Sequence, residues 1–86
     1  NSLISPGVTI EEGAVVKDSI VFTDVKILKK VKVNKTIVGE NVIIGEGAVI
    51  GTATKKPVQP NGITIIENNV AISPKSRIVA GSEITI

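Results

Sequence analysis

The sequence has no cysteine and no histidine, and Phe22 is its single aromatic residue. Without cysteine or histidine the chain has no disulfide bond, no thiol nucleophile, no imidazole base and no zinc site built from those ligands. One aromatic side chain cannot form the stacking platform on which proteins bind nucleic-acid bases, and no apolar run approaches the ~20 residues of a membrane span. We therefore expect no catalytic residue, no metal or cofactor ligand, no nucleic-acid partner and no membrane partner in this segment.

Valine and isoleucine dominate the apolar residues, with 28 of 86 positions against two leucines and no methionine. β-Branched side chains lose rotamer freedom in helices and pack well on pleated strands, so this composition favours an all-β fold. The length fits one domain, residues 1–86. Because the sequence begins at Asn1 rather than methionine, we expect it to be a carboxy-terminal part of a longer chain.

Aliphatic residues recur every six positions, and every third interval is shortened to five, which gives a period of 17. The first set comprises Ile4, Ile10, Val16, Val21, Ile27, Val33, Val38, Ile44, Ile50, Ile66, Ile72, Ile78 and Ile84. A second set follows four residues after the first and comprises Val8, Ala14, Ile20, Val25, Val31, Ile37, Val42, Ala48 and Val70. Both sets are predicted to point inward along short strands that turn a corner and repeat.

Residues that tolerate left-handed backbone conformations recur in phase with these aliphatic positions. In the nine full intervals of six, the third residue after the start is Gly7, Gly13, Asp24, Lys30, Asn41, Gly47, Asn69, Lys75 or Gly81. Seven of these nine are glycine, asparagine or aspartate, which enter the left-handed region at the least cost. We predict a tight turn at each of these positions.

The pattern predicts about five stacked triangular coils, each made of three short strands that pair with their equivalents one coil away. This is the hexapeptide-repeat parallel β-helix. An antiparallel fold would require period-two alternation, which the sequence does not show. The segment 51–62, with two prolines and a glycine at each end, is predicted to form a protruding loop.

Basic residues cluster in the middle of the chain, where Lys26 to Lys35 includes five lysines and the nearest acid is Asp24. One interpretation is a surface that binds a phosphorylated effector or an acidic partner. The other is that solvated lysines prevent exposed strands from pairing edge to edge. The candidate effector or interface residues are Lys29, Lys30, Lys55, Lys56, Lys75 and Arg77.

Several segments resemble the carboxy-terminal β-helix of bacterial glucose-1-phosphate adenylyltransferase (ADP-glucose pyrophosphorylase). The resemblance rests on the opening Asn1-Ser2-Leu3-Ile4, the six-six-five phasing and the position of the loop before Gly62-Ile63-Thr64-Ile65-Ile66. It covers nearly the whole chain and implies that the coils wind left-handed. Some members of that family place an activator-binding lysine where this sequence has Glu67.

The resemblance implies a cytoplasmic parent enzyme that converts ATP and glucose 1-phosphate to ADP-glucose and pyrophosphate with Mg²⁺, in glycogen biosynthesis. Catalysis would then belong to an amino-terminal domain, the main partner of this segment. The β-helix would contribute to a homo-oligomer and to allosteric regulation by a phosphorylated small molecule. The alternatives are another sugar-1-phosphate nucleotidyltransferase, a regulatory paralogue without catalytic competence, or a free-standing assembly module. A bifunctional uridylyltransferase with an acetyltransferase half fits less well, because that half would use histidine.

Overall fold

The computed structural model describes residues 2–52 and 63–85, which form thirteen short strands. The strands are β1 (Leu3–Ile4), β2 (Thr9–Ile10), β3 (Val15–Lys17), β4 (Ile20–Val21), β5 (Lys26–Ile27), β6 (Lys32–Asn34), β7 (Thr36–Val38), β8 (Ile43–Ile44), β9 (Val49–Thr52), β10 (Thr64–Ile66), β11 (Ala71–Ile72), β12 (Arg77–Val79) and β13 (Glu83–Ile84). No helix that could cross a membrane occurs in the part of the chain that the structure describes.

The strands form three parallel sheets, because each strand pairs with the strand three places away in the chain. The first sheet has the order β1-β4-β7-β10-β13, the second β2-β5-β8-β11, and the third β3-β6-β9-β12. Three consecutive strands therefore make one triangular coil, and the described strands make four coils and the first side of a fifth. The predicted hexapeptide-repeat β-helix is confirmed, with the left-handed winding that the resemblance implies.

The aliphatic residues counted in sixes stack directly on one another. In the second sheet Ile10 pairs with Ile27, Ile27 with Ile44, and Ile44 with Ile72. The first and third sheets repeat this register, with Ile4 on Val21 and Val16 on Val33. The predicted first set is therefore the inner wall of the coils, and its central members are fully buried.

The second predicted set points inward except where the interval shortens to five. Val25, Val31, Val42, Ala48 and Val70 are buried as predicted. Ile20 and Ile37 were predicted to be inward, and this was wrong, because Ile20 is exposed and Ile37 is only half-buried. The short turn shifts the alternation of side chains by one residue, so that the residue just before each isoleucine points into the coil instead.

The inward residues at these short turns carry hydroxyl groups: Ser19, Thr36 and Thr64 are buried. The Ser19 hydroxyl accepts a hydrogen bond from the Thr36 N–H at 3.1 Å and donates one to the Lys17 carbonyl at 2.8 Å. Two coils above Ser19, the Thr64 hydroxyl accepts from the Gly81 N–H at 3.2 Å. Among the described residues, every buried side-chain nitrogen or oxygen has a partner, so this polar column satisfies backbone groups that the short turn leaves open.

All nine predicted turn positions have a positive φ, from Asn41 at 57° to Gly81 at 86°. The prediction of left-handed turns is therefore confirmed. The structure adds three positions that the pattern did not identify, Asp18, Lys35 and Gly51, and these form the shortened turns. Two kinds of turn, one for each interval length, thus account for the six-six-five rhythm.

Gly47→Val is expected to lower the free energy of unfolding by about 1–2 kcal/mol, because Gly47 has φ of 77° and a branched residue is strained there. Space is not the cause, since the nearest side-chain atom to an added Cβ is Lys75 Cγ at 3.5 Å. Gly47→Asn is the matched control and should cost less, as Asn41 and Asn69 adopt the same conformation. Urea unfolding of both variants measures the difference; equal losses would contradict a backbone origin.

The interruption of the repeat lies between the third and fourth coils. Paired residues of the first three coils differ by 17 in number and those of β10 and β13 by 18, whereas Glu40 and Asn68 of adjacent coils differ by 28. The predicted loop 51–62 begins within β9, which includes Gly51 and Thr52, and positions 53–62 lie outside the described residues. The register resumes at β10, where Ile66 stacks on Val38.

Candidate functional site

The structure brings four of the six candidate residues to one side of the β-helix. Lys29, Lys30 and Lys75 lie on the turns between the second and third sheets, and Arg77 lies in β12 of the third sheet. Lys55 and Lys56, the remaining candidates, lie outside the described residues. Side chains separated by more than 40 positions in the sequence thus share one edge of the molecule.

Lys30 and Lys75 stand in one column of turn residues, in the order Gly13, Lys30, Gly47, Lys75 from coil to coil. Both lysines have positive φ, 60° and 62°. The Cγ atom of each lies 3.5 Å from where a Cβ would stand on the glycine one coil below. The two lysines are therefore two coils apart, roughly 10 Å at the usual strand spacing, and the glycine between them adds no side chain.

A second pair of cations lies beside this column on the outer surface of the third sheet. In the outward row of this sheet Lys32 pairs with Val15 and Val49, and Val49 pairs with Arg77. Lys32 and Arg77 are both exposed and again two coils apart. Lys32 was not among the candidate residues, although the stacking register aligns it with Arg77.

Lys29 differs from its neighbours because acidic residues flank it in the stack. The Lys30 N–H donates to the Glu12 carbonyl and the Gly47 N–H donates to the Lys29 carbonyl, so Glu12, Lys29 and Glu46 occupy equivalent positions on successive coils. At a spacing of about 4.8 Å between strands, Lys29 thus has an acidic residue at the equivalent position of each adjacent coil. The exposed cations of the two columns beside it, called the basic face below, are Lys30, Lys32, Lys75 and Arg77.

The basic face offers hydrogen-bond donors on an exposed surface. Ammonium and guanidinium groups bind phosphate and carboxylate oxygens, and arginine does so with two parallel hydrogen bonds. These side chains are exposed, so the attraction falls as salt rises. The face can therefore hold an anion, whereas the described residues contain no group of three or more acidic or other ligand side chains placed to hold a metal ion.

At the amino-terminal end the β-helix presents its interior. Ile4 and Ile10 of the first coil are 43% exposed, whereas Ile27 and Ile44, which stack in the second sheet above Ile10, are fully buried. Among the described residues, β1, β2 and β3 are the end strands of the three sheets, and each pairs on one side only.

Two carboxyl groups meet near the opposite end, where the side chains of Glu67 and Glu83 share a hydrogen bond. That bond, with smaller contributions from desolvation and from the charge of Glu83, raises the pKa of Glu67 above its ordinary value of 4.5. Glu67 is the residue that replaces the lysine expected from the resemblance. An anion cannot bind favourably to this pair when both groups are ionised.

The raised pKa of Glu67 predicts a pH dependence with a definite sign. The folded state holds the proton more tightly than the unfolded state, so this contribution favours folding below about pH 4.5 and is lost as pH rises through the raised value. An NMR titration should give Glu67 a midpoint above 4.5, and Glu83→Gln should lower it. Glu40→Gln is the control. An unchanged midpoint in Glu83→Gln would show that Glu83 is not the cause.

Comparison with known proteins places the fold in a family. The model of the GlmU-like C-terminal hexapeptide family matches residues 1–72. A search of curated proteins gives no match. The matched segment includes the first three coils, the interruption and the start of the fourth coil up to Ile72. Since it covers well over half of the 86 residues, the chain belongs to the GlmU-like C-terminal hexapeptide family.

Proposed function

We propose that this chain is the carboxy-terminal β-helix of a glucose-1-phosphate adenylyltransferase, where it serves assembly and regulation and has no catalytic activity by itself. Membership of the family indicates a carboxy-terminal domain of a sugar-phosphate nucleotidyltransferase. The choice of the adenylyltransferase rests on the resemblance of the opening segment, the phasing and the loop position. The lack of histidine argues against the acyl transfer that related β-helices perform.

The observation that carries the proposal is the parallel β-helix with an interruption between β9 and β10. The six-six-five phasing of its inner aliphatic residues and the position of this interruption are the features shared with the carboxy-terminal β-helix of the adenylyltransferase. Catalysis would then belong to another domain of the parent enzyme, and contact with that domain would give the β-helix a mechanical link to catalysis, which regulation requires.

The isolated 86 residues are expected to release no pyrophosphate from ATP and glucose 1-phosphate in the presence of Mg²⁺. Measurable release above a boiled control would overturn the proposal. The reading frame upstream of Asn1 separates it from the alternative of a free-standing assembly module. A nucleotidyltransferase domain encoded there supports the proposal, and a start codon immediately before Asn1 supports the alternative.

A second candidate function, favoured by the basic face, is binding of a phosphorylated small molecule. Lys30 and Lys75 in one column, and Lys32 and Arg77 in the next, place four cations where a ligand with two phosphate groups could contact two coils at once. The test is calorimetric titration with fructose bisphosphate and with AMP. Lys30→Glu and Lys75→Glu should each weaken binding several-fold, since an exposed charge reversal replaces attraction with repulsion.

Lys26→Glu is the matched control for this experiment, because Lys26 is equally exposed but lies on the second sheet between Thr9 and Ile43. It changes the net charge by the same amount without touching the basic face. Equal losses in all three variants would indicate unspecific attraction to a cationic protein. Unchanged heats in Lys30→Glu and Lys75→Glu would remove the basic face from consideration.

A further inference from the structure

The outer surface of the first sheet carries a continuous row of aliphatic side chains. Leu3 pairs with Ile20, Ile20 with Ile37, and Ile37 with Ile65, and the row ends at Glu83 in β13. Leu3 is 69% exposed and Ile20 37% exposed. The equivalent rows of the other sheets are mixed. They read Thr9, Lys26, Ile43 and Ala71 in the second sheet and Val15, Lys32, Val49 and Arg77 in the third.

The aliphatic row is bounded on one side by two opposite charges. Asp18 and Lys35 occupy the short turns of successive coils, at φ of 52° and 48°, and both are exposed. They line a groove of about 340 Å³ together with Ile20 and Ile37. On the opposite side of the aliphatic row lies Phe22, which is 43% exposed. Gly39 occupies the equivalent position on the next coil.

Three columns of residues thus lie side by side on this face: Asp18 with Lys35, Ile20 with Ile37, and Phe22 with Gly39. The face is complementary to the same face of a second copy whose coil axis points in the opposite direction. The two-fold axis of this arrangement runs parallel to the strands and passes between the coils of Ile20 and Ile37. Rotation about it places each column of one copy against the same column of the other copy, with the order of the coils reversed. Asp18 then faces Lys35 of the second copy, and Ile20 faces Ile37. Phe22 faces Gly39, a position without a side chain, and Leu3 faces Ile65.

The other way of pairing this face does not produce such a match. A two-fold axis along the coil axis keeps each coil at its own level and exchanges the two flanks. Asp18 and Lys35 would then face the Phe22 and Gly39 column, which offers neither charge a partner. Isologous interfaces require a self-complementary surface, and only the antiparallel arrangement provides one here.

We propose that the outer face of the first sheet binds a second copy of this chain in the antiparallel, two-fold arrangement. This inference rests on the assembly role proposed above and specifies its surface. Five strands span only about 19 Å, so the interface falls at the small end of specific interfaces and self-association of the chain alone is weak. The dimer therefore forms at high protein concentration and would add to other contacts in a longer chain.

Charge reversal tests the arrangement, with sedimentation equilibrium between about 10 µM and 1 mM as the measurement. In the dimer, residue 18 of each copy faces residue 35 of the other copy, so this contact occurs twice. Asp18→Lys makes both contacts lysine against lysine, and Lys35→Asp makes both contacts aspartate against aspartate. Each variant should weaken dimerisation at least tenfold. An equimolar mixture of the two variants should form a heterodimer, because both contacts then join opposite charges. The double variant D18K/K35D should dimerise like the original chain.

A monomer at every concentration would overturn the inference, as would a mixture of the two variants that associates no better than either alone. Ile20→Lys should abolish dimerisation, whereas Ile43→Lys, on the second sheet and similarly exposed at 44%, should leave it unchanged. Circular dichroism and the melting temperature establish that each variant is folded. Absence of the dimer leaves the pyrophosphate assay and the upstream reading frame as separate tests of the proposed function.

Discussion

Ile44→Asp is expected to abolish the folded state at neutral pH. Ile44 is fully buried between Ile27 and Ile72, in a coil too thin to supply a partner for a carboxylate. Burying an unpaired charge and losing a large aliphatic side chain together cost several kcal/mol, a large part of the stability of a domain of this size. Circular dichroism should show loss of the β signal, and limited proteolysis should show rapid cleavage.

Ile43→Asp is the matched control, because Ile43 precedes Ile44 in the same strand and points outward. It introduces the same charge and the same loss of β propensity without burial. The variant should remain folded with a change of about 1 kcal/mol or less. If Ile43→Asp and Ile44→Asp were equally destabilising, the alternation of inward and outward residues would be wrong.

Ser19→Ala is expected to lower the free energy of unfolding by about 1–3 kcal/mol, which for a chain of this size lowers the melting temperature by roughly 10 °C. The substitution leaves the buried N–H of Thr36 without its acceptor, 3.1 Å away, and removes the donor to the Lys17 carbonyl. Thermal unfolding followed by circular dichroism measures the loss.

Ser76→Ala provides the control for the hydroxyl column, because the Ser76 hydroxyl donates to the Ser73 carbonyl at 2.7 Å in an exposed turn. Water can replace that bond, so the change should stay within about 0.5 kcal/mol. Thr36→Ser, which keeps the hydroxyl at the next level of the column, should cost less than Thr36→Val. Equal effects of Ser19→Ala and Ser76→Ala would show that the column adds nothing to stability.

The sequence predicted the coils and their register well because both depend on local spacing. Side chains that repeat with the period of the coil must stack, so the pairing of Ile10 with Ile27 and Ile44 followed from counting alone. The turn positions followed for the same reason, since a left-handed turn favours particular residue types. Lys30 and Lys75 occupy the turn position of the repeat although lysine is not a residue type that favours the left-handed region. Their backbones adopt the left-handed turn nonetheless.

The shortened turns were harder to interpret, because hydrophobicity alone assigned Ile20 and Ile37 to the interior. The structure places Ser19 and Thr36 there, where their hydroxyl groups bind the backbone of the adjacent coil. A hydroxyl that satisfies a buried N–H outweighs the burial of one more aliphatic side chain at such a corner. The displaced isoleucines form the apolar outer row, so one local shift produces both the polar column and the surface proposed for dimerisation.

The candidate site depends on which side chains become neighbours across coils, and only part of this could be predicted from the sequence. Lys29 lies in a basic segment of the sequence, yet Glu12 and Glu46 flank it in the stack. Lys32 and Arg77 are far apart in the sequence, yet they share one row of the third sheet. Net charge along a segment is therefore a poor guide in a β-helix, where the nearest neighbours of a side chain lie one coil away, at least 17 residues along the chain.

In the β-helix each strand pairs in parallel with its equivalent one coil away. Through-hydrogen-bond NMR couplings test this pairing, because they connect a donor amide nitrogen to the carbonyl carbon of its acceptor. We expect couplings from Thr9 N–H to the Val25 carbonyl, from Lys26 N–H to the Val42 carbonyl and from Gly45 N–H to the Ile72 carbonyl. Couplings that instead join consecutive strands in antiparallel pairs would show that the chain does not form a β-helix.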